Sequence, residues 1–318
     1  MNLERMLDKC LRGQWSIDRI DWSRPPRAMT RDEEMAVVQY FHNMAGIERL
    51  ARALFEEQRR RSSDPVLRKI FTTFIADEER HAVAAEKLAT YYDVHHYRVY
   101  QEDAALVAFR PVFIAAIREV SAELAALYIT TGELLLDTAL LRSLSDYVAD
   151  DVCTEVMQLI NRDESRHIAI DYHMIGMYAS DEYLAWLRTQ PRRTLGQHGR
   201  AVWGFARVLY HASPFIRRVF IEPLQLLDPS FARMREAFKR LQLLGRKPDV
   251  ARRPFTRFWR GLQLAYDAPV VGAMFGQLLT RVAGVPGQVL TELYQESEAT
   301  RAASMSYEDL AREAVTVY

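Results

Sequence analysis

Cysteine is nearly missing from this 318-residue chain. Cys10 and Cys153 are too few for a disulfide framework or a cysteine-only metal cage, so a reduced, cytoplasmic setting is expected. No run reaches the roughly 18 uncharged apolar residues that a membrane span needs. The most apolar tract, 268–279, ends at Thr280 and Arg281 and is expected to be a buried helix. The opening Met1-Asn2-Leu3-Glu4-Arg5 carries charge early and lacks an apolar run before a small-residue cleavage site, which argues against a secretory signal. Strand-like alternation, glycine-rich phosphate loops and nucleophile motifs are wanting as well. So is any excess of one charge, with 42 basic against 42 acidic side chains. Apolar residues make up 49% of the chain, which supplies ample core and excludes disorder as its main state.

The neutral balance hides a segregation. Residues 188–260 hold 17 Lys/Arg and 4 Asp/Glu, leaving 25 basic and 38 acidic side chains elsewhere. Such a segment points either to an anionic partner or to a solvated arginine-rich face. It contains no recognisable nucleic-acid module, so DNA and RNA are not expected partners.

Helix punctuation is frequent. Thr30 and Glu33 form a capping box after Pro25-Pro26, and Val37, Tyr40, Phe41, Met44, Leu50, Leu54 and Phe55 recur near the helical period up to residue 61. Asp64-Pro65 caps and opens a second helix reaching about residue 91. A third is predicted from near Pro111 to 143–146, and a fourth from its cap Asp150 to about 178. Shorter helices follow over 181–190, 194–211, 229–244 (opened by Asp228-Pro229), 254–264, 269–283, 288–299 and 306–315. The fold class is therefore all-α. The expected organisation is an N-terminal arm (1–29), a four-helix bundle (30–190) and a basic helical extension (191–318) packed on it.

A repeat runs through the bundle. Asp77-Glu78-Glu79-Arg80-His81 recurs 86 residues later as Asp163-Glu164-Ser165-Arg166-His167, and Asp64/Asp150 and Gly46/Gly132 keep the same offset. A single Glu-x-x-His arises readily by chance; two copies of the longer motif at matched positions do not. Residues i and i+3 share a helix face about 4.5 Å apart along the axis. Glu78 with His81, and Glu164 with His167, can each bind one metal ion. Carboxylate and imidazole together suit iron, manganese or zinc. If the hairpins turn near 61–63 and 147–149, Glu48 (30 residues before Glu78) and Glu133 (31 before Glu164) lie level with them. Glu123 would need a turn near Ser143, leaving Asp150 in mid-helix, and is the alternative to Glu133; Glu119 and Glu155 fit less well.

These residues resemble the ferritin-like di-metal carboxylate superfamily, in which two helices each give a Glu and two give a Glu-x-x-His. The Asp-Glu-x-Arg-His wording is similar to its O₂-activating branch: hydrocarbon monooxygenases, acyl-carrier-protein desaturases and ribonucleotide reductase small subunits. The resemblance covers about residues 30–180. It implies two iron ions, with manganese an option at one position, held by Glu48, Glu78, His81, Glu133, Glu164 and His167. It also implies that Asp163 accepts from His81 and Asp77 from His167, with Arg80 and Arg166 neutralising the acids. Three positions depart from the family pattern: Ala85 where a radical tyrosine would stand, Asp137 in place of a threonine, and Ile160 in place of an extra histidine. Asp137 is a candidate proton relay or an arginine partner. Met44, Phe74, Ile129, Leu136 and Ile160, one turn from the ligands, are read as core or pocket lining. His42, His95, His96, His173, His198 and His211 have no ligand spacing.

The implied activity is O₂-dependent hydroxylation, desaturation or N-oxygenation of a small or carrier-tethered substrate, fed by an external electron donor. The competing reading is a ferroxidase or rubrerythrin-like peroxide-handling protein. The basic segment, including Arg192-Arg193 and Arg252-Arg253, would dock an acyl carrier protein, a coenzyme-A thioester or an acidic donor, with a membrane surface as the competing anion. A homodimer is compatible with this family.

Overall fold

The computed structural model describes residues 1–191, 193–283 and 287–315, and all regular structure among them is helical. Helix α1 (Leu3–Arg12) lies in the segment expected to be a mere arm; it packs on the third and sixth helices and buries Met6, Leu7 and Cys10. The Thr30–Glu33 capping box forms at the start of α2 (Arg31–Arg61). Asp64 accepts the N–H groups of Val66 and Leu67 to open α3 (Pro65–Tyr92).

The third long helix does not start at Pro111. Pro111 lies inside a separate α4 (Ala104–Glu119). The chain turns extended at Val120, and Ser121 caps a new helix by accepting the Leu124 N–H at 3.2 Å. This α5 (Ala122–Val148) carries a π-helical stretch over Leu135–Leu141. By length and composition α5 could cross a membrane, yet 67% of its apolar window is buried by the fold. A left-handed Ala149 (φ 48°) ends it, and Asp150 caps α6 (Asp151–Ala179). Helices α2 with α3, and α5 with α6, pair along their lengths, while α2 meets α5 and α3 meets α6. Phe41, Met44, Phe55, Phe74, Ile129 and Ile160 are fully buried in this four-helix core.

Beyond it run α7 (Asp181–Thr189), α8 (195–227, with a π-helical stretch at Ile216–Ile221), α9 (Ala232–Leu244), α10 (Pro248–Ala251), α11 (Pro254–Asp267), α12 (Pro269–Ala283), α13 (Glu296–Ser304) and α14 (Tyr307–Val315). Helix α8 packs on α4, α9 on the π-helical part of α5, and α14 on α6. Helix α9 begins at Ala232 rather than Pro229, because Asp228 accepts from Ser230 Oγ and the Arg233 N–H and closes a turn with Phe231 left-handed at φ 52°. Helix α13 begins at Glu296, not 288. The tract expected to be a buried helix forms α12, but Val270, Val271 and Met274 on it are exposed. Arg192 lies outside the described residues.

Asp150 holds the turn that sets the relative height of α5 and α6: it accepts the N–H groups of Val152 (2.9 Å), Cys153 (3.4 Å) and Arg27 (3.0 Å). Asp150→Ala is expected to cost about 1–2 kcal/mol, read as a lower urea midpoint at unchanged slope. An unmoved midpoint would show that the cap contributes nothing.

Candidate metal centre

The four long helices each send carboxylate or imidazole groups into the space between them. Glu48 comes from α2, Glu78 and His81 from α3, Glu133 from α5, and Glu164 and His167 from α6. All are buried, Glu133 being the most exposed at 3%. They form two overlapping clusters. In one, ligand atoms of Glu48, Glu78, His81 and Glu164 lie within 4.8 Å of one another; in the other, those of Glu78, Glu133, Glu164 and His167 do. Glu78 and Glu164 belong to both, so they stand where bridging carboxylates would be. His81 Nδ1 is 3.1 Å from Glu164 Oε1 and 4.0 Å from carboxylate oxygens of Glu48 and Glu78. His167 Nδ1 is 2.9 Å from Glu78, 3.2 Å from Glu164 and 3.7 Å from Glu133.

The structure thus brings together all six residues chosen as metal ligands. It does not bring in Glu123, which sits in the first turn of α5 and pairs with Arg253, Nε to Oε1 at 2.6 Å. Nor does it bring in Glu119, 3.5 Å from Arg200, or Glu155, which accepts from Arg24.

Each histidine turns its other nitrogen to the acid of the opposite motif. His81 Nε2 lies 3.2 Å from Asp163 Oδ2, and His167 Nε2 lies 3.5 Å from Asp77 Oδ2. This fixes Nδ1 as the atom facing the carboxylates. Arg80 pairs with Asp77, and Arg166 donates to Asp163 at 2.5 Å. Burial raises the pKa of Asp77 and Asp163, but the facing imidazoles outweigh it and hold both below the ordinary carboxylate range. Sequence reasoning missed two further members. Trp15 Nε1 donates to Asp163 Oδ2 at 2.7 Å, and Gln14 donates to Asp77 Oδ1 at 2.9 Å. Both sit in the loop after α1, outside the repeat, where no motif marks them. Trp15→Phe keeps the ring but removes a hydrogen bond to a charged group. A stability loss of about 1.5–3 kcal/mol is expected on thermal or urea unfolding; none would mean that the indole adds nothing to the hold of Arg166 and His81 on Asp163.

Asp137 is buried and its Oδ2 accepts from Arg142 Nη2 at 3.0 Å, while its other oxygen makes no hydrogen bond. Burial raises its pKa to about 6 against the pull of that arginine. Arginine pairing is therefore the contact it makes, rather than a hydrogen bond to any of the six ligands. Asp171, one turn beyond His167, was not singled out by sequence. It is fully buried, neither oxygen is hydrogen-bonded, and desolvation holds it well above the usual range. Phe74 lies 4.1 Å from the His167 ring, centroid to centroid, so it packs that ligand in place.

As an apoprotein this centre is costly. Both oxygens of Glu48 and of Glu78, one each of Glu133 and Glu164, and His81 Nδ1 are buried without a hydrogen bond. Buried anions need paired or coordinated charge. An all-oxygen-and-imidazole donor set of this size fits two divalent transition ions. No family model matches the chain, and neither a curated protein nor a solved structure does. The assignment therefore rests on the geometry and on the repeated motif.

Proposed function

We propose that the chain is a di-metal carboxylate oxidoreductase, with two iron ions (or manganese at one position) between its four long helices and O₂ as co-substrate. The observation that carries this reading is the pair of overlapping Glu/His clusters sharing Glu78 and Glu164, with carboxylate oxygens that no protein donor satisfies. When bound, a redox-active metal pair supplies the electrons and Lewis acidity that O₂ reduction requires. The chain's own residues do the rest. Glu48 and Glu133 serve one position each, Asp163 and Asp77 orient the histidines, and Phe55, Phe74, Ile129 and Ile160 exclude water. Hydroxylation, desaturation and N-oxygenation of an organic substrate all use this core. An external electron donor and a small or carrier-tethered substrate belong to the same proposal. Anaerobic iron loading followed by O₂ should give a new near-ultraviolet absorption and consume O₂ in proportion to iron. An unchanged spectrum with two bound irons would overturn the redox reading.

Metal uptake should also release protons. Burial opposes charge on His81 and His167. Asp163 and Glu164 around the first, and Glu164 and Asp77 around the second, outweigh it and hold both well above the ordinary histidine range. Burial and the neighbouring carboxylates push Glu48 and Glu133 upward as well. Ions compete with those protons, so affinity should tighten as pH rises. For the metal-free chain the sign is opposite. The raised histidines contribute stability that is complete below the unfolded histidine value and lost as pH climbs through the raised folded one. Titration calorimetry in two buffers of different ionisation heat would measure the released protons; pH-independent affinity would contradict the assignment.

A further inference from the structure

The basic excess of residues 188–260 is mostly consumed inside the fold. Arg253 pairs with Glu123, Arg240 with Glu236, Arg233 with Asp146, Arg252 with Asp181, Arg218 with Asp103 and Lys239 with Glu298. Of the rest, buried Lys247 donates to the Ala303 and Met305 carbonyls, and Arg188, Arg193, Arg207, Arg235, Arg257 and Arg260 have no ion pair among the described residues. Five of these six lie within two residues of an exposed large apolar side chain: Arg188 by Leu187, Arg193 by Leu195, Arg207 by Leu209, and Arg257 and Arg260 by Phe258. Unpaired charge and exposed apolar surface therefore coincide.

Helix α8 shows why this is not ordinary surface. At about 100° per residue, Val208 and Phe215 point toward α4 and are buried. Trp203 and Tyr210 lie on the opposite side, with Leu195, Val202 and Leu209 on the flank beside them. Val202, Trp203 and Tyr210 are 69%, 68% and 78% exposed. The helix thus carries a second apolar face that nothing among the described residues covers. Helix α12 packs against both α8 and α11 and adds exposed Val270 and Met274. Helix α11 has no buried residue at all, and it exposes Phe258, between Arg257 and Arg260, and Leu264 one turn further on.

We infer that α8, α11 and α12 form a docking surface for an anionic lipid bilayer, lying in the headgroup region rather than spanning it. Trp and Tyr at the edge of an apolar stripe, with arginines beside them, match the chemistry of that layer: rings at the headgroup level, aliphatic groups beneath, guanidinium groups on phosphates. A second copy of the chain fits less well, because a twofold contact through this face would set Arg207, Arg257 and Arg260 against their own equivalents. The inference is independent of the metal centre. It makes the protein peripheral to a membrane and presents the extension, not the four-helix core, to lipid.

Sedimentation with vesicles tests it, using the full chain. Vesicles of phosphatidylcholine with one quarter phosphatidylglycerol should pull the protein down at low salt. Phosphatidylcholine alone should do so far less, and binding should fall as salt rises. With Arg207, Arg257 and Arg260 all changed to Gln, affinity should drop on the order of 100-fold, since each surface cation contributes about a factor of five. Trp203→Ser with Tyr210→Ser should weaken binding to both vesicle types and leave the wild-type melting temperature unchanged, which separates lost contact from lost fold. Absence of binding to anionic vesicles at low salt would overturn the inference. So would a concentration-independent dimer whose formation shields Trp203 from an aqueous quencher.

Discussion

Metal-stripped protein equilibrated with ferrous iron under anaerobic conditions is expected to bind two ions per chain, and the bridging residues should reveal themselves by their reach. Glu78 and Glu164 each belong to both buried clusters, whereas Glu48 belongs to one and Glu133 to the other. Glu164→Ala should therefore empty both positions, and Glu48→Ala or Glu133→Ala only one. Occupancy should also be visible as stability. A ligand present at 100 times its dissociation constant adds about 2.7 kcal/mol per site, and here the ions relieve carboxylate oxygens that have no hydrogen bond. Metal counting by plasma emission, beside the melting temperature with and without iron, gives both readouts. Zero ions in the wild type, or loss of a single ion in Glu164→Ala, would refute the shared-carboxylate arrangement.

The second large effect concerns the acids behind the histidines. Asp163 faces His81 and Asp77 faces His167, so each motif orients the histidine of the other. Asp163→Asn should weaken the position served by His81, and Asp77→Asn that served by His167, each by roughly 10–100-fold in affinity. The physical cause is a neutral amide that no longer raises the imidazole's basicity or fixes its tautomer. Asp163→Asn should be the more damaging to folding, because it also strips Arg166, which is nearly buried, of its closest partner. Sequential binding isotherms would separate the two positions. Equal weakening of both by either variant would show that the crossed pairing has no functional meaning.

Much of this was legible because it is local. A capping box at Thr30, an Asp-Pro start at Asp64 and a cap at Asp150 are chemistries of three or four consecutive residues, and each helix begins where its cap stands. The ligand set followed from periodicity: i,i+3 spacing puts Glu and His on one face, and equal distances about a turn put Glu48 and Glu133 level with them. The choice of Glu133 over Glu123 depended on one fact, the turn at Ala149, which the Asp150 cap had already marked.

What the local pattern misjudged depends on partners distant in sequence. Pro111 looked like a helix start, but it lies inside α4, a separate helix packed on α2 and α8, and the less conspicuous Ser121 opens α5. The excess positive charge of 188–260 read as one block in sequence, but acids of α5, α7 and α13 pair with part of it and leave the rest beside uncovered apolar side chains. Trp15 and Gln14 carry no motif; only the docking of α1 against α3 and α6 brings them to Asp163 and Asp77. The sequence by itself determined the all-α class, the repeat and the convergence of six Glu and His side chains, because those are set by caps and by helical period. Tertiary structure alone decided which charges are neutralised, which apolar faces are left uncovered and which loop residues reach the centre, because each of these requires knowing what lies across the gap between helices.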